Sequence, residues 1–276
     1  MRAAVLGRPV AHSLSPVLHR AAYAALDLSD WRYDAIDCGE ADLARQLADS
    51  GPEWAGFSCT MPLKRCVVSM ADVVDDEAAA IGAANTLLRH PAGGWRAAAT
   101  DPIGIVNALA DRTGAAVGAR SAVTLLGAGG TAQNALAALR ILGIDHCTVL
   151  VRSPERASAL LDTATRLGLS VELAALDPTL DAVTAADLLI STLPAGAADQ
   201  FADAYWHRDQ ILLDVVYDPW PTAIAAAAAG AGVRVVSGAL MLLHQAAAQV
   251  ALMTGRAAPV AAMRAALRSV TASTGI

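Results

Sequence analysis

A chain of 276 residues exceeds the usual size of a single domain and can bury a substantial core, so two domains of unequal size are expected. The hydrophobic fraction of 55% and mean hydropathy of +0.43 come largely from alanine, a helix former of small transfer energy, so the composition is that of a globular chain. A formal charge of −6 excludes a broad nucleic-acid surface while leaving room for a local cationic pocket.

In chain order, a short apolar run at 3–6 reads as a strand and is broken by Gly7, Arg8 and Pro9, too early for a secretory leader. A helix near 16–25, a strand at 33–37, a helix at 43–48 and a strand at 54–59 follow, an α/β alternation. After the turn at 91–94 comes another short strand, and 103–110 reads as a helix leading out of the first domain. The pattern sharpens beyond 121: a strand at 121–126, a turn at 127–130, a helix at 131–142 and a strand at 147–151 make one βαβ unit. Apolar runs at 171–174, 188–190, 211–216 and 233–236 continue a parallel, doubly wound sheet. The alanine run 225–229 reads as a surface helix stopped by Gly230, and helices at 239–253 and 260–269 close the chain. The run 235–253 is interrupted by His244, Gln245 and Gln249, so no spanning helix is expected and the chain is placed in the cytoplasm, without membrane or nucleic-acid partners. The four cysteines lack a paired spacing and are expected to be reduced packing residues, and the six histidines lack metal-ligand spacing, so no metal is expected.

The segment Leu125-Leu126-Gly127-Ala128-Gly129-Gly130-Thr131-Ala132 ends a strand and opens a helix. In that context glycines let the backbone approach a pyrophosphate, whose charge faces the free N–H groups of the helix start. A tight turn without ligand is the alternative. About 20 residues further on, an acidic side chain favours NAD and arginine favours the 2′-phosphate of NADP. Arg152, Ser153 and Arg156 stand there, so NADP is preferred, with NAD kept open by Glu155, which either reaches a ribose or pairs with an arginine.

Three further stretches are unusually polar: His12-Ser13-Leu14-Ser15-Pro16, Thr60-Met61-Pro62-Leu63-Lys64 and Gly82-Ala83-Ala84-Asn85-Thr86. Each alone suits a helix cap; together they make a site. Gly7-Arg8-Pro9-Val10-Ala11-His12-Ser13-Leu14-Ser15-Pro16 resembles the N-terminal signature of shikimate dehydrogenases. Gly56-Phe57-Ser58-Cys59-Thr60-Met61-Pro62-Leu63-Lys64 is similar to the family's Gly-x-Asn-Val-Thr-x-Pro-x-Lys, and the stretch from Ile81 to Leu87 to its Gly-Ala-Val-Asn-Thr. Thr100-Asp101, the glycine turn, Asp214-Val215-Val216-Tyr217-Asp218-Pro219 and the run from Gly238 to Gln245 follow in family order. Ala99 departs from the family's asparagine before Thr-Asp.

The resemblance implies an N-terminal α/β substrate domain over 1–101, completed by 239–276, and a Rossmann-type NADP-binding domain over 102–238. It implies reversible NADPH-dependent reduction of 3-dehydroshikimate to shikimate, with Lys64 and Asp101 as the catalytic pair. Ser13 and Ser15 are then expected to hold the substrate carboxylate, and Thr60, Asn85, Asp101 and Gln245 its hydroxyls, with Tyr217 at the same pocket. Thr192 and Leu193 are expected beside the cofactor, Val215 and Gly238 beside its nicotinamide, and Met241 at the start of the returning helix. A quinate or quinate/shikimate dehydrogenase using NAD, and a ligand-binding paralogue without turnover, remain open, as does assembly as a monomer or homodimer.

Overall fold

The computed structural model describes residues 1–114, 117–177, 179 and 181–271. The chain runs β1 (Arg2–Gly7), α1 (Ser15–Ala25), β2 (Arg32–Asp37), α2 (Glu40–Ala48), β3 (Trp54–Cys59), α3 (Lys64–Met70), β4 (Val73–Val74), α4 (Asp76–Ile81), β5 (Thr86–Arg89), β6 (Trp95–Ala98) and α5 (Asp101–Thr113). It continues through β7 (Val123–Leu126), α6 (Gly130–Ile141), β8 (His146–Val151), α7 (Ser158–Leu167), β9 (Ser170–Ala175), α8 (Asp181–Thr184), β10 (Leu188–Ser191), β11 (Ile211–Asp214), α9 (Ala223–Gly230), β12 (Arg234–Ser237), α10 (Gly238–Thr254) and α11 (Val260–Val270). Two compact units result, one from Met1–Gly104 with Leu242–Val270, the other built on Ile105–Met241. The expected extension of the C-terminal piece over 272–276 lies outside the described residues.

In the first unit the six strands are ordered β2-β1-β3-β5-β6-β4. β1 pairs parallel with β2 and β3, but β5 is antiparallel to both β3 and β6, so the sheet is mixed. The register Ser58↔Thr86↔Ala98 therefore sets the end of β3, the start of β5 and the end of β6 at one edge. Ala3, Val5, Val10, Tyr23, Tyr33, Leu88 and Met253 form a core cluster here, and α1 packs on α11.

In the second unit all strands are parallel, in the order β12-β11-β10-β7-β8-β9. Counted from β7, that is the 3-2-1-4-5-6 order of a doubly wound dinucleotide-binding sheet, with its switch point between β7 and β10. The central strands β7, β10 and β11 are buried on both faces, as their continuous apolar runs require.

Several boundaries differ from expectation for local reasons. The strand expected over 211–216 stops at Asp214, whose carboxylate accepts from the Val216 N–H and the Thr222 hydroxyl and so turns the chain out of the ladder. The strand expected from 121 begins at Val123, because the Ala122 N–H is taken by the Asp187 carboxylate. Gly230 is the last residue of α9 and not its stop; the left-handed glycine is Gly232, and Ile224, Ala225 and Ala228 are buried, so α9 is half core. No helix among the described residues is long and apolar enough to cross a membrane.

Candidate functional site

In the first unit the polar stretches converge on the sheet edge defined above. The Thr60 N–H donates to the Leu6 carbonyl and the Arg8 N–H to the Met61 carbonyl, joining the loops after β1 and β3. Gly7 permits this approach: a Cβ there would fall 2.3 Å from Thr60 Cγ2. The Cys59 N–H donates to the Asn85 carbonyl and the Ala84 N–H to the Lys64 carbonyl, which locks the segment before β5 to α3.

Lys64 opens α3 and Asp101 opens α5. A carboxylate is favoured at a helix N-terminus and a cation is not, so Lys64 is held by its partner and not by its helix. Lys64 Nζ lies 2.5 Å from Asp101 Oδ2, with the lysine side chain 19% and the aspartate 5% exposed. Asp101 Oδ1 accepts from Asn85 Nδ2 at 2.7 Å, so each oxygen has its own donor and the Ala99 methyl is not needed to orient the carboxylate. Asn85 Nδ2 also faces Thr100 Oγ1 (2.9 Å) and Gln245 Oε1 (3.1 Å), two protons shared among three acceptors. The structure thus brings together Lys64, Asp101, Asn85 and Gln245. Thr60 is tied to β1, while the Ser13 hydroxyl accepts from the Ser15 N–H at 3.3 Å, a local bond at the start of α1.

Behind this group lies a buried polar cluster of Thr86, Gln249, Ser58, Tyr33 and His19 that sequence reasoning did not single out. His19 stacks on Tyr33 at 3.9 Å between ring centroids. Burial holds its imidazole neutral, pulling the pKa down to about 3 against the raising effect of the Gln249 hydrogen bond. An unfolded histidine titrates near pH 6.5, so the unfolded chain binds the extra proton between those values. Stability present above about pH 6.5 is lost as the pH falls toward 3, at ~1.4 kcal/mol per pH unit. Urea unfolding of His19→Phe, which keeps the stacking, is expected to show a shallower slope than wild type in that window; equal slopes would clear His19 of the acid sensitivity.

In the second unit the predicted cofactor residues also gather at strand ends. The Gly127 N–H donates to the Leu150 carbonyl, and the Thr192 hydroxyl and N–H both reach the Leu126 carbonyl, so the glycine turn is tied to the ends of β7, β8 and β10. Gly127 has φ +101°, and a Cβ would lie 2.8 Å from Thr192 Oγ1 and 3.1 Å from Leu193 Cδ2. At Gly129 and Gly130 a Cβ would meet nothing within 4 Å, an open cradle before Thr131 and Ala132 on the first turn of α6. Ala128 completes the turn. These residues fit a pyrophosphate. Gly127→Ala is expected to lower unfolding stability by about 1–3 kcal/mol through backbone strain. Gly129→Ala, at φ −81°, is expected to stay within about 0.5 kcal/mol of wild type while closing the cradle; urea titrations separate the two.

Arg152 and Arg156 follow β8, both exposed; among the described residues neither guanidinium has a hydrogen-bond or ion-pair partner, while the Arg156 N–H donates to the Ser153 carbonyl. Glu155 pairs with neither; it accepts the Ser153 hydroxyl at 2.6 Å, which holds its carboxyl below the usual range. Gly238 packs so closely on Val215 that a Cβ would fall 2.0 Å from the Val215 carbonyl oxygen. Tyr217 follows β11, its phenol pushed up by burial and then by Asp218, and Met241 is buried in α10. Cys38, Cys59 and Cys147 are buried free thiols, and among the described residues no cluster of three or more His, Cys, Asp or Glu is placed to hold a metal.

A doubly wound parallel sheet with an open glycine cradle, on a chain that also carries a mixed-sheet unit with a half-buried lysine–aspartate pair, defines an α/β protein of the dinucleotide-binding class. Residues 5–87 match the model of the shikimate dehydrogenase substrate binding domain, and residues 238–268 that of the shikimate 5'-dehydrogenase C-terminal domain. The chain is 37% identical to the shikimate dehydrogenase (NADP(+)) of Moorella thermoacetica, over 96% of its own length and 92% of that protein's. The crystal structure of Mycobacterium tuberculosis shikimate dehydrogenase superposes with a TM-score of 0.88 at 45% identity, covering 98% of this chain and 99% of that one. That of the Thermus thermophilus enzyme in complex with NADP(H) and shikimate does so with a TM-score of 0.83 at 31% identity, covering 98% and 99%. The chain belongs to the shikimate dehydrogenase family.

Proposed function

We propose that this chain interconverts 3-dehydroshikimate and shikimate with NADP(H), as an oxidoreductase of the shikimate pathway toward aromatic amino acids. The observation that carries this reading is the Lys64–Asp101 pair, braced by Asn85, which also donates to Gln245. NADPH, when bound, supplies the hydride for the reduction, and NADP takes it up in the reverse direction.

The chain's own residues hold the reactants and handle the proton. Ser13 and Ser15 take the carboxylate, and Thr60, Asn85, Asp101 and Gln245 the ring hydroxyls, with Tyr217 a further hydroxyl donor. In the reductive direction Lys64 Nζ gives a proton to the ketone oxygen as the new C–H bond forms, and in the oxidative direction it takes the proton back. Asp101 keeps the ammonium aimed and offsets its charge.

On the cofactor side, residues 127–132 hold the pyrophosphate, and Arg152, Ser153 and Arg156 the 2′-phosphate. Thr192 and Leu193 pack beside the cofactor, with Val215 and Gly238 at the nicotinamide and Met241 next to them. The reaction needs neither nucleic acid nor membrane and runs in the cytoplasm, in a monomer or a homodimer.

A crystal of the chain grown with shikimate and NADP tests the assignment. The substrate carboxylate is expected at Ser13 and Ser15, and the reacting oxygen within hydrogen-bond reach of Lys64 Nζ. A carboxylate bound elsewhere, with Lys64 out of reach of every substrate oxygen, would overturn it.

A further inference from the structure

Gln249 stands one helical turn beyond Gln245 on α10 and is 1% exposed. Its amide is fully committed: Nε2 donates to the Asn85 carbonyl at 3.1 Å and to Thr86 Oγ1 at 3.0 Å, while Oε1 accepts from Ser58 Oγ at 2.7 Å and faces His19 Nε2 at 3.4 Å. Ser58 Oγ in turn accepts from the Tyr33 hydroxyl at 2.6 Å.

The direction of each bond follows from the one before it. Tyr33 donates to Ser58, so the Ser58 proton goes to Gln249 Oε1, and the opposite end of that amide can only donate. Thr86 Oγ1 receives that donor and directs its own proton to Asn85 Oδ1 at 3.1 Å, a nearer acceptor than Thr100 Oγ1 at 3.4 Å. Asn85 Oδ1 also accepts the Thr100 N–H at 2.7 Å, which leaves Asn85 Nδ2 facing Asp101 Oδ1 and Asp101 Oδ2 facing Lys64. Gln249 therefore grips Asn85 at two points, its main chain directly and its side chain through Thr86.

We propose that Gln249 is a positioning residue for the reaction of Lys64 and Asp101, fixing the Asn85 amide from behind through Thr86. The proposal rests on the shikimate reading above. Gln249 has no polar atom left over for a substrate, and of the groups it bonds only Asn85, directly and through Thr86, reaches Asp101. A glutamine that merely filled the core would affect folding and leave turnover per folded molecule unchanged.

The test uses Thr86→Val, Thr86→Ser, Gln249→Met and the Thr86→Val/Gln249→Met double variant, each assayed as folded full-length chain with shikimate and NADP. Thr86→Val and Gln249→Met are each expected to lower kcat about tenfold, more than they raise KM for shikimate, because Ser13, Ser15, Thr60 and Gln245 are untouched. Thr86→Ser, which keeps the hydroxyl, is expected to stay within about twofold of wild type, and the double variant to be little worse than either single one. Side-chain amide resonances of Asn85 give a readout apart from turnover: one slowly exchanging pair in wild type and Thr86→Ser, faster exchange in Thr86→Val and Gln249→Met.

Full kcat in Thr86→Val, damage by Thr86→Ser equal to that by Thr86→Val, or strictly additive losses would each overturn the proposal. If wild type fails to oxidise shikimate, the functional reading falls and the Asn85 resonances decide alone. Unchanged exchange in Thr86→Val and Gln249→Met would then reject the hold of Gln249 on Asn85, and faster exchange would uphold that hold without the reaction.

Discussion

Replacing Lys64 with methionine is expected to lower kcat about 10²–10⁴-fold with shikimate still bound, because the group that moves the proton is gone while the hydroxyl and carboxylate contacts remain. Methionine keeps the length of the apolar stem, so loss of packing is small. The variant also leaves the Asp101 side chain, 5% exposed, with Asn85 as its one remaining side-chain donor among the contacts described. Removing one partner of a buried ion pair destabilises by up to about 3–5 kcal/mol, and the partial exposure of Lys64 puts the expected loss below that range. Adding Asp101→Asn to Lys64→Met removes the orphaned charge, so the double variant should melt above Lys64→Met and remain equally inactive. Rates with calorimetry on the three chains check both halves. A Lys64→Met chain with more than about a tenth of wild-type kcat would remove the lysine from the proton step.

Replacing Arg152 and Arg156 together with alanine is expected to lower kcat/KM for NADP about 100-fold or more while NAD changes by less than about threefold, since two charge-assisted hydrogen bonds to a phosphate are lost and NAD has no phosphate there. Both guanidiniums are exposed and break no ion pair among the described residues, so unfolding stability should stay within about 0.5 kcal/mol. Glu155 is occupied by the Ser153 hydroxyl and draws neither arginine away from a phosphate. Equal losses with NADP and NAD would mean that the arginines act through the loop's conformation and not through the 2′-phosphate.

Legibility differed between the two halves of the chain for physical reasons. Parallel strands buried on both faces read as unbroken apolar runs, so β7, β8, β10 and β11 stand out, and the glycine turn marks where the first of them ends. In the mixed sheet β4 is two residues long, α4 six and α3 seven, too short for any periodicity. β5 follows the Asn85 motif directly, and nothing local signals that it runs antiparallel.

The same logic applies to the site. Lys64 and Asn85 sit in stretches whose polarity is out of place, Asp101 and Gln245 in motifs that only the family resemblance picks out, and the structure joins the four by hydrogen bonds. Ser58 lies in a strand buried at every position, where alternation gives no sign that its hydroxyl meets a polar core. Its partners Tyr33, His19 and Gln249 come from three other elements, contacts no local pattern encodes. Gln249 did leave a trace, a second glutamine four residues after Gln245 on an otherwise apolar helix, which is the spacing of one helix face.

Initial rates of dinucleotide reduction by the purified chain, with shikimate or quinate against NADP or NAD, test the central claim most directly. Rapid turnover with shikimate and NADP, weak or absent with the other three pairs, is the predicted result. Preference for quinate or for NAD, or no turnover with any pair despite measurable shikimate binding, would contradict it.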